Sequence, residues 1–330
     1  MRAPQDPQGR ARRRVGRDPP VRVLFLGTPS FAVPTLQHLI DSHHEVVGVM
    51  TRPDRRRGRR GRPTPAPVIE ILPDDSLPVL QPERVNEAAT YAKVRELRPD
   101  VAVVVAFGSI LSTQFLALPP HGCVNLHASL LPHLRGAAPI QWAVARGDEE
   151  IGLTTMQMDA GMDTGDILLQ ERTPIGPKEN AQELAQRLAP LGGPLMLRTL
   201  DGLQQGTLEA RPQPSEGASR APLLRKEDGR IDWSLGGQRI VNLVRGMQPW
   251  PVAHSGLGDS LLRILRASAQ PGDAPQVEPG TVCGLEGEAL LVRCGDGLLQ
   301  VHELQPPSRR RMSGREALNG RALQLGDRLV

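Results

Sequence analysis

Aromatic residues and cysteines are both scarce in this chain, and each scarcity argues against a class of function. Phe, Trp and Tyr make up 2% of the 330 residues, so stacking of nucleic-acid bases on aromatic side chains is not expected to dominate any contact. The three cysteines, Cys123, Cys283 and Cys294, form no CxxC pair. This spacing argues against a disulfide framework and against a cysteine-ligated zinc site. We therefore expect a protein of the reducing cytoplasm.

Long hydrophobic runs and the common phosphate-binding motifs are also missing. No apolar run approaches the roughly 18 to 20 residues that cross a bilayer, so no membrane partner is expected. The loop after the first apolar run reads Gly27-Thr28-Pro29-Ser30-Phe31 rather than GxGxxG, and GxxxxGK[ST] does not occur. A nicotinamide or nucleoside triphosphate site would therefore lack its usual cradle. Residues 1–20 have no apolar core of a secretory signal, and we interpret them as a disordered basic tail outside the fold.

Short apolar segments alternate with helical ones through the first two thirds of the chain. The segments "VRVLFLG", "EVVGVMT", "LPVLQP" and "VAVVVAF" are typical of buried strands, and "EAATYAKVRELRPD" is typical of a helix between two of them. Alternation of this kind predicts an α/β fold, a Rossmann-like and mostly parallel sheet covered by helices, which we assign to residues 21–206. A later segment, "ENAQELAQRLAPLGGPLMLRTLDGL", predicts either one long helix or a broken pair.

The last third of the chain has a different pattern. Residues 207–225 are rich in Pro, Ser, Gly and Ala without a sustained apolar period, which indicates a linker. Within residues 226–330, the runs "LLRILRAS", "GTVCGLE", "ALLVRCGDG" and "LLQVHELQP" are separated by glycine turns. Short alternating runs of this kind predict a small antiparallel barrel or sandwich.

An asparagine and a histidine lie one residue apart in "CVNLHAS". If this segment is a strand, Asn125 and His127 lie on the same face, about 6 to 7 Å apart. An amide and an imidazole so placed can polarise a carbonyl oxygen and transfer a proton. The imidazole needs a carboxylate partner, and "MDAGMDTGD" offers Asp159, Asp163 and Asp166, among which spacing alone does not choose. The structural alternative is a turn whose aspartates form hydrogen bonds within the turn, beside a histidine with a structural role.

Arginine dominates one short segment, "TRPDRRRGRRGR", which holds a single aspartate. Its arginines are Arg52, Arg55, Arg56, Arg57, Arg59, Arg60 and Arg62. Arginine forks onto phosphate oxygens, so the segment suggests an anionic partner. A solvated, disordered loop is the alternative, and composition does not decide between the two.

Several of these segments together resemble one family. Asn125-x-His127, "SLLPHLRGAAPIQWA" and "MDAGMDTGDIL" are similar to the motif set of the 10-formyltetrahydrofolate-dependent formyltransferases, and "RIDW", "PWP" and "GDGLLQVHELQP" resemble that family's C-terminal OB-like β-barrel. The resemblance implies a formyltransferase domain followed by this smaller barrel. It also implies that Asn125, His127 and Asp163 are catalytic. It further implies a folate-contacting turn made of Ser129, Leu130, Leu131 and Pro132.

The resemblance also implies an activity and its partners. The arginine-rich segment resembles a basic insertion that the tRNA-acting members of the family use against the acceptor arm, and Arg309, Arg310 and Arg311 would extend the basic surface. The expected reaction transfers a formyl group from the co-substrate 10-formyltetrahydrofolate to the α-amino group of methionyl-initiator tRNA, without a metal and by a monomer.

Two other functions remain open from the sequence. One is a folate-dependent formyltransferase that acts on a small amine, such as an amino sugar nucleotide or glycinamide ribonucleotide. Such an enzyme would share the Asn, His and Asp set, but it would not need the seven-arginine insertion or the barrel. The other is a catalytically silent RNA-binding protein of the same fold, which would be free to lose the Asn, His and Asp set.

Overall fold

The structure is a computed structural model that describes residues 19–56, 63–72, 77–258 and 260–330. Most of the predicted basic tail therefore lies outside the described residues. So do four residues of the arginine-rich segment, namely Arg57, Arg59, Arg60 and Arg62.

Strands and helices alternate first and strands then dominate, as the patterns predict. The strands in chain order are β1 Arg22–Gly27, β2 Glu45–Met50, β3 Arg55–Arg56, β4 Pro63–Thr64, β5 Val79–Leu80, β6 Val101–Val105, β7 Cys123–His127, β8 Glu150–Gln157, β9 Ile167–Pro174, β10 His254–Leu257, β11 Ser260–Pro271, β12 Val282–Glu286, β13 Ala289–Cys294 and β14 Gly297–Gln305. The helices are α1 Val33–Ile40, α2 Ala88–Leu97, α3 Thr113–Leu116, α4 Pro139–Arg146, α5 Ala181–Gln205, α6 Gly237–Gly246 and α7 Gly314–Asn319. No helix of the described segments has the length and apolar character needed to cross a membrane.

The larger sheet has seven strands in the order β5-β2-β1-β6-β7-β8-β9. The first five are parallel, whereas β8 pairs antiparallel with β7 and β9 antiparallel with β8. Alternate residues of the central strands are buried on opposite faces: Phe25 packs in the core that includes α1 and α5 residues, and Leu24 packs in the core that includes α2 residues. Burial on both faces explains why these strands read as continuous apolar runs. The expected α/β fold with a mostly parallel sheet is confirmed.

The segment that predicted either one long helix or a broken pair is one helix, α5. It begins at a capping box in which the Asn180 side chain and Glu183 cap each other's backbone N–H groups. The two consecutive glycines of α5 lie against the sheet and α1. A Cβ atom at Gly192 would lie 2.4 Å from Leu126, and one at Gly193 would lie 2.4 Å from His38. Small residues at these two positions therefore allow the helix to pack close to its neighbours.

The smaller sheet is antiparallel, with five strands in the order β10-β11-β14-β13-β12. Its core includes Trp233, Ile264, Val292 and Leu299. The alternating runs predicted β11 to β14, and this part of the expectation is confirmed. The β10 strand and the short helix α7 were not predicted.

The predicted linker, residues 207–225, follows the larger sheet closely. Arg211 and Ile167 exchange backbone hydrogen bonds of 2.9 and 2.8 Å. Further along, the Arg135 N–H donates to the Ser219 carbonyl at 2.9 Å, and the Ala221 N–H donates to the Arg135 carbonyl at 2.7 Å. The segment thus contributes to the surroundings of the turn that follows β7. The boundaries at 206 and 225 stay predictions.

Candidate active site

The Asn-x-His strand ends at the carboxyl edge of the larger sheet. Because β1, β2, β6 and β7 are parallel, the loops after them meet at that edge. Asn125 pairs with Val104 of β6 on one side and with Met156 of β8 on the other. Asn125 and His127 occupy alternate positions of β7, so they share a sheet face, as predicted.

The Asn125 side chain is half-buried and available. No described residue forms a hydrogen bond with its amide group. Buried and half-buried amides in proteins are normally hydrogen-bonded. The free NH2 group of Asn125 is therefore suited to donate to an oxygen atom of a bound molecule.

His127 has one ring nitrogen committed to the protein and one that is not. Its side chain is 7% exposed, and its Nε2 lies 3.0 Å from the carbonyl oxygen of Leu134. A carbonyl can only accept, so Nε2 carries the proton and donates it. The other nitrogen, Nδ1, lies 3.8 Å from Oδ2 of Asp163. The neutral ring therefore keeps its lone pair on Nδ1, next to a carboxylate.

Asp163 is held in place by the backbone of the turn after β7. Its Oδ2 accepts the N–H of Gly136 at 2.8 Å, and its side chain is 16% exposed. Gln213, from the predicted linker, donates from Nε2 to the carbonyl oxygens of Asp163 and Gly165 at 2.9 and 2.7 Å. Asp163 itself has a φ of 54°, in a region that residues other than glycine rarely occupy and that often marks a functional site.

The structure separates the three aspartates that spacing could not separate. Asp159 accepts the N–H of Gly161 at 3.0 Å and the hydroxyl of Thr164 at 2.8 Å, so it closes its own turn. Among the described residues, Asp163 is the one of the three that forms an ion-pair contact with His127. The carboxylate beside the Asn-x-His pair is thus the one that the family resemblance implied.

The turn assigned to folate, Ser129 to Pro132, is internally bonded. Ser129 is fully buried and donates to the His133 carbonyl at 2.6 Å. The Leu131 carbonyl accepts the amide of Gln170 at 2.9 Å, and the Leu131–Pro132 peptide bond is cis. Leu131 is buried, whereas Leu130 and Pro132 are half-buried. Side-chain contact with a ligand would therefore come from Leu130 and Pro132, while Ser129 and Leu131 shape the turn.

Three supporting groups were not predicted: the Leu134 carbonyl, the Gly136 amide and the Gln213 side chain. Gly136 has a φ of 125°, and a Cβ atom there would lie 2.4 Å from the Ala221 carbonyl oxygen, so this position requires glycine. Of these three groups, only the one at Gly136 had a local sequence signal, namely the glycine itself. Nothing local identifies Gln213, which lies 50 residues from Asp163 along the chain.

Cys123 lies on the same strand and face as Asn125 and His127. Burial raises the pKa of its thiol to about 12. The thiol therefore stays protonated at neutral pH, which excludes it as a nucleophile beside the pair.

The arginine-rich segment begins at the same edge of the sheet. Arg52 follows β2, its N–H donates to the Thr28 hydroxyl at 3.4 Å, and its guanidinium lies beside Gly108 in the loop after β6. Arg55 and Arg56 form β3, which pairs with β4 as a small antiparallel ladder.

In the C-terminal part, Arg310 and Arg311 are exposed and already face carboxylates. Arg310 lies 2.7 Å from Glu316, and Arg311 lies 3.8 Å from Glu303.

Known proteins resemble the chain over both of its parts. The formyl transferase family model matches residues 21–200, and the model of the formyl transferase C-terminal domain matches residues 223–322. A methionyl-tRNA formyltransferase of Geobacter metallireducens is 46% identical over 307 residues, 93% of this chain and 98% of the relative. One of Geotalea daltonii is 45% identical over 309 residues, 94% of this chain and 98% of the relative.

A solved structure shares the fold. It is the N-formyltransferase from Helicobacter canadensis in complex with folinic acid and dTDP-3-aminofucose. It superposes with a TM-score of 0.65 at 16% identity, over 87% of this chain and 99% of that one.

Proposed function

Because the chain belongs to the formyl transferase family, we propose that it transfers the formyl group of 10-formyltetrahydrofolate to the α-amino group of methionyl-initiator tRNA. The observation that carries this proposal is the 46% identity to a methionyl-tRNA formyltransferase over 98% of that relative's length. The similarity includes the C-terminal part that follows the formyl transferase domain. An enzyme of this kind serves translation initiation, and we expect it to act in the cytoplasm as a monomer.

The side chains at the carboxyl edge suit attack of an amine on a formyl carbon. When the α-amino nitrogen forms a bond to that carbon, negative charge develops on the formyl oxygen. The free NH2 group of Asn125 can donate to this oxygen. Removal of one such donor costs about 10²- to 10³-fold in rate where it has been measured in other enzymes. The tetrahedral intermediate then breaks its carbon–N10 bond, and N10 takes up a proton.

The histidine has one nitrogen for this reaction. Since Nε2 donates to Leu134, Nδ1 is the atom that can hold or release a proton at the reacting centre. In the protonated ring, Nδ1–H donates to the oxyanion together with Asn125. Asp163 stabilises the cationic ring from 3.8 Å and assists removal of the proton from the attacking amine.

The folate would lie against the turn from Ser129 to Pro132, which follows β7. The turn's four carbonyl oxygens, those of Ser129, Leu130, Leu131 and Pro132, each accept one hydrogen bond within the protein. Because a carbonyl oxygen has two lone pairs, each can still accept a second bond from a ligand. The half-buried side chains of Leu130 and Pro132 would supply apolar contact with the ring system.

The test is a formyl-transfer assay with three acceptors: methionyl-initiator tRNA, an amino sugar nucleotide and glycinamide ribonucleotide. We expect product with the charged tRNA alone. Transfer to a small amine without transfer to tRNA would replace the proposed acceptor by the small-amine alternative. Binding of tRNA without any transfer would favour the silent RNA-binding alternative.

We further propose that the segment from Arg52 to Arg62 contacts the phosphates of the tRNA acceptor stem. Its first residue lies at the edge that holds Asn125 and His127. Alanine at Arg55 and Arg56 should weaken tRNA binding, and the slope of log K against log salt should fall by about 0.7 to 0.9 for each lost phosphate contact. Arg172→Ala is the matched control, since this exposed arginine pairs with Glu150 on β8. If the native chain and the alanine variant bind tRNA equally at two salt concentrations, the alternative of a solvated loop holds.

A further inference from the structure

A second group of histidine and carboxylate side chains lies far from the candidate active site. His43 and His44 close the connection between α1 and β2, and Asp201 lies in the last turns of α5. Because β2 begins at Glu45 and runs parallel to β7, this group lies at the amino edge of the larger sheet. Asn125 and His127 lie near the carboxyl edge, so the two groups are at opposite ends of the strands.

The two neighbouring histidines point to the same side. Their ring centroids are 4.0 Å apart and the ring planes are inclined by 41°. Adjacent side chains of an extended chain point to opposite sides, so this arrangement needs a turn. The Ser42 hydroxyl makes that turn: it donates to the Leu39 carbonyl at 2.8 Å and accepts the His44 N–H at 3.1 Å.

Both rings approach one carboxylate oxygen without completing a hydrogen bond. His43 Nε2 is 3.2 Å from Oδ1 of Asp201, and His44 Nε2 is 3.3 Å from the same atom. The His44 side chain is fully buried, yet neither of its ring nitrogens has a hydrogen-bond partner within the described segments. A buried imidazole without a partner is uncommon and needs an explanation.

The spacing of the three atoms fits a shared metal ion. Nitrogen and oxygen ligands bind Zn²⁺ at about 2.0 to 2.2 Å in tetrahedral geometry, which places neighbouring ligand atoms roughly 3.3 to 3.6 Å apart. The His43 and His44 nitrogens lie 3.2 and 3.3 Å from the Asp201 oxygen, just below and at the lower limit of this range, and all three atoms lie within 4.8 Å of one another.

We propose that His43, His44 and Asp201 bind one divalent transition-metal ion of the zinc type through Nε2, Nε2 and Oδ1. Two imidazoles and one carboxylate suit Zn²⁺ better than Mg²⁺ or Ca²⁺, which prefer oxygen ligands throughout. His43 and Asp201 are 46% and 39% exposed, which leaves room for water as a fourth ligand. The ion would tie the α1–β2 connection to α5, and its distance from the catalytic edge makes its role structural.

The experiment measures Zn²⁺ binding to the full, tag-free chain after chelation, by calorimetry and by thermal unfolding. We expect one ion per chain and a melting temperature that rises with Zn²⁺. Because loss of an outer-shell partner alone costs about 10- to 100-fold in metal affinity, Asp201→Asn and His43→Asn should each weaken binding at least that much. Neither variant should show the thermal shift.

Two controls make the result decisive. His121→Asn removes an exposed histidine outside the group and should bind Zn²⁺ as the native chain does. Co²⁺ should give the visible absorption of a tetrahedral site in the native chain and lose it in His43→Asn. Formyl transfer by Asp201→Asn should equal that of the native chain. Absence of binding, or equal binding by the native chain and both variants, would overturn the proposal.

Discussion

Two groups of histidine and aspartate lie at opposite edges of the same sheet, and they differ in one respect that decides their chemistry. At the carboxyl edge, His127 donates from Nε2 to a backbone carbonyl, which leaves Nδ1 near Asp163. At the amino edge, the His44 ring donates to no described group, although its Nε2 lies 3.3 Å from Oδ1 of Asp201. The first ring has a fixed tautomer and one free nitrogen. The second has no fixed tautomer.

This difference shows that a histidine close to an aspartate is not by itself a catalytic pair. A ring whose tautomer is fixed by the backbone presents a known nitrogen to a substrate, as proton transfer requires. Two ring nitrogens within 3.3 Å of one carboxylate oxygen bring three ligand atoms close together, as a metal ion requires. The carboxylates differ in the same way: Gly136 holds Asp163 by a backbone N–H, whereas no described backbone group bonds the Asp201 carboxylate.

The largest predicted effect comes from the same substitution in both groups. Asp163→Asn keeps an oxygen that can accept the Gly136 N–H and removes the charge that stabilises protonated His127. We expect kcat for formyl transfer to fall about 10²- to 10³-fold, within the range for general acid–base and electrostatic contributions. Asp201→Asn should leave kcat unchanged. Near-native turnover by Asp163→Asn, with folate affinity unchanged, would remove Asp163 from the mechanism.

The next effect tests how the carboxyl-edge group is held. Gly136→Ala places a methyl group against the Ala221 carbonyl at a φ of 125°, so we expect a loss of about 1 to 3 kcal/mol in the free energy of unfolding. The N–H that holds Asp163 shifts with it, so kcat should fall as well. Gly217→Ala is the control: its φ is 74° and no atom lies within 4 Å of the added Cβ. It should lose stability through backbone strain alone, and equal loss of kcat in both variants would contradict the positioning role.

The sequence predicted most of the larger sheet because a strand that is buried on both faces appears as a continuous run of apolar residues. Strands β1, β2 and β6 are runs of this kind. The strand β10 escaped prediction because its four residues, "HSGL", have no apolar alternation. The continuity of α5 was open, since Pro190 and Pro194 argue for a break. Tertiary packing against the sheet decided in favour of one helix.

The candidate site also contains residues that the sequence predicted and residues that it did not. Period-two alternation placed Asn125 and His127 on one face, a property of the local chain. The choice of Asp163 among three aspartates came from the family resemblance, because it depends on how a turn folds back across two strands. The role of Gln213 could not be predicted at all. Its Nε2 donates to backbone carbonyl oxygens, which every residue possesses, so sequence carries no signal for these bonds.

A smaller effect tests that unpredicted residue. Gln213 Nε2 donates to the carbonyls of Asp163 and Gly165, and its Oε1 accepts from Arg135. Gln213→Glu keeps the acceptor and loses both donors, so kcat should fall about tenfold while the KM for folate changes little. Gln238→Ala, which removes an exposed pair with Asn242 on α6, is the control and should not alter kcat. If Gln213→Glu raises KM and leaves kcat intact, the residue positions folate rather than Asp163.

The smallest effect concerns a charged pair that, unlike the two groups above, is fully hydrogen-bonded. Both carboxylate oxygens of Glu179 accept from Arg187, at 2.7 and 2.9 Å, and one also accepts the Gly176 N–H. The hydrogen bonds from Arg187, aided by the Gly176 N–H and opposed by burial, hold the pKa of Glu179 below its ordinary value of 4.5. Such a pair has no free atom for a substrate or an ion, so it should contribute to stability alone.

Glu179→Gln should therefore lower the free energy of unfolding by about 0.5 to 1 kcal/mol at pH 7, because Arg187 is partly exposed and solvent screens the pair. A depressed carboxyl pKa stabilises the fold above pH 4.5, and that contribution is lost as the pH falls through the lower folded-state pKa. The free energies of unfolding of the native chain and of Glu179→Gln, measured in urea, should differ at pH 7 and become equal in acid. Formyl transfer at pH 7 should be equal in both. A stability difference that persists in acid would show that packing, rather than the ionised carboxylate, accounts for it.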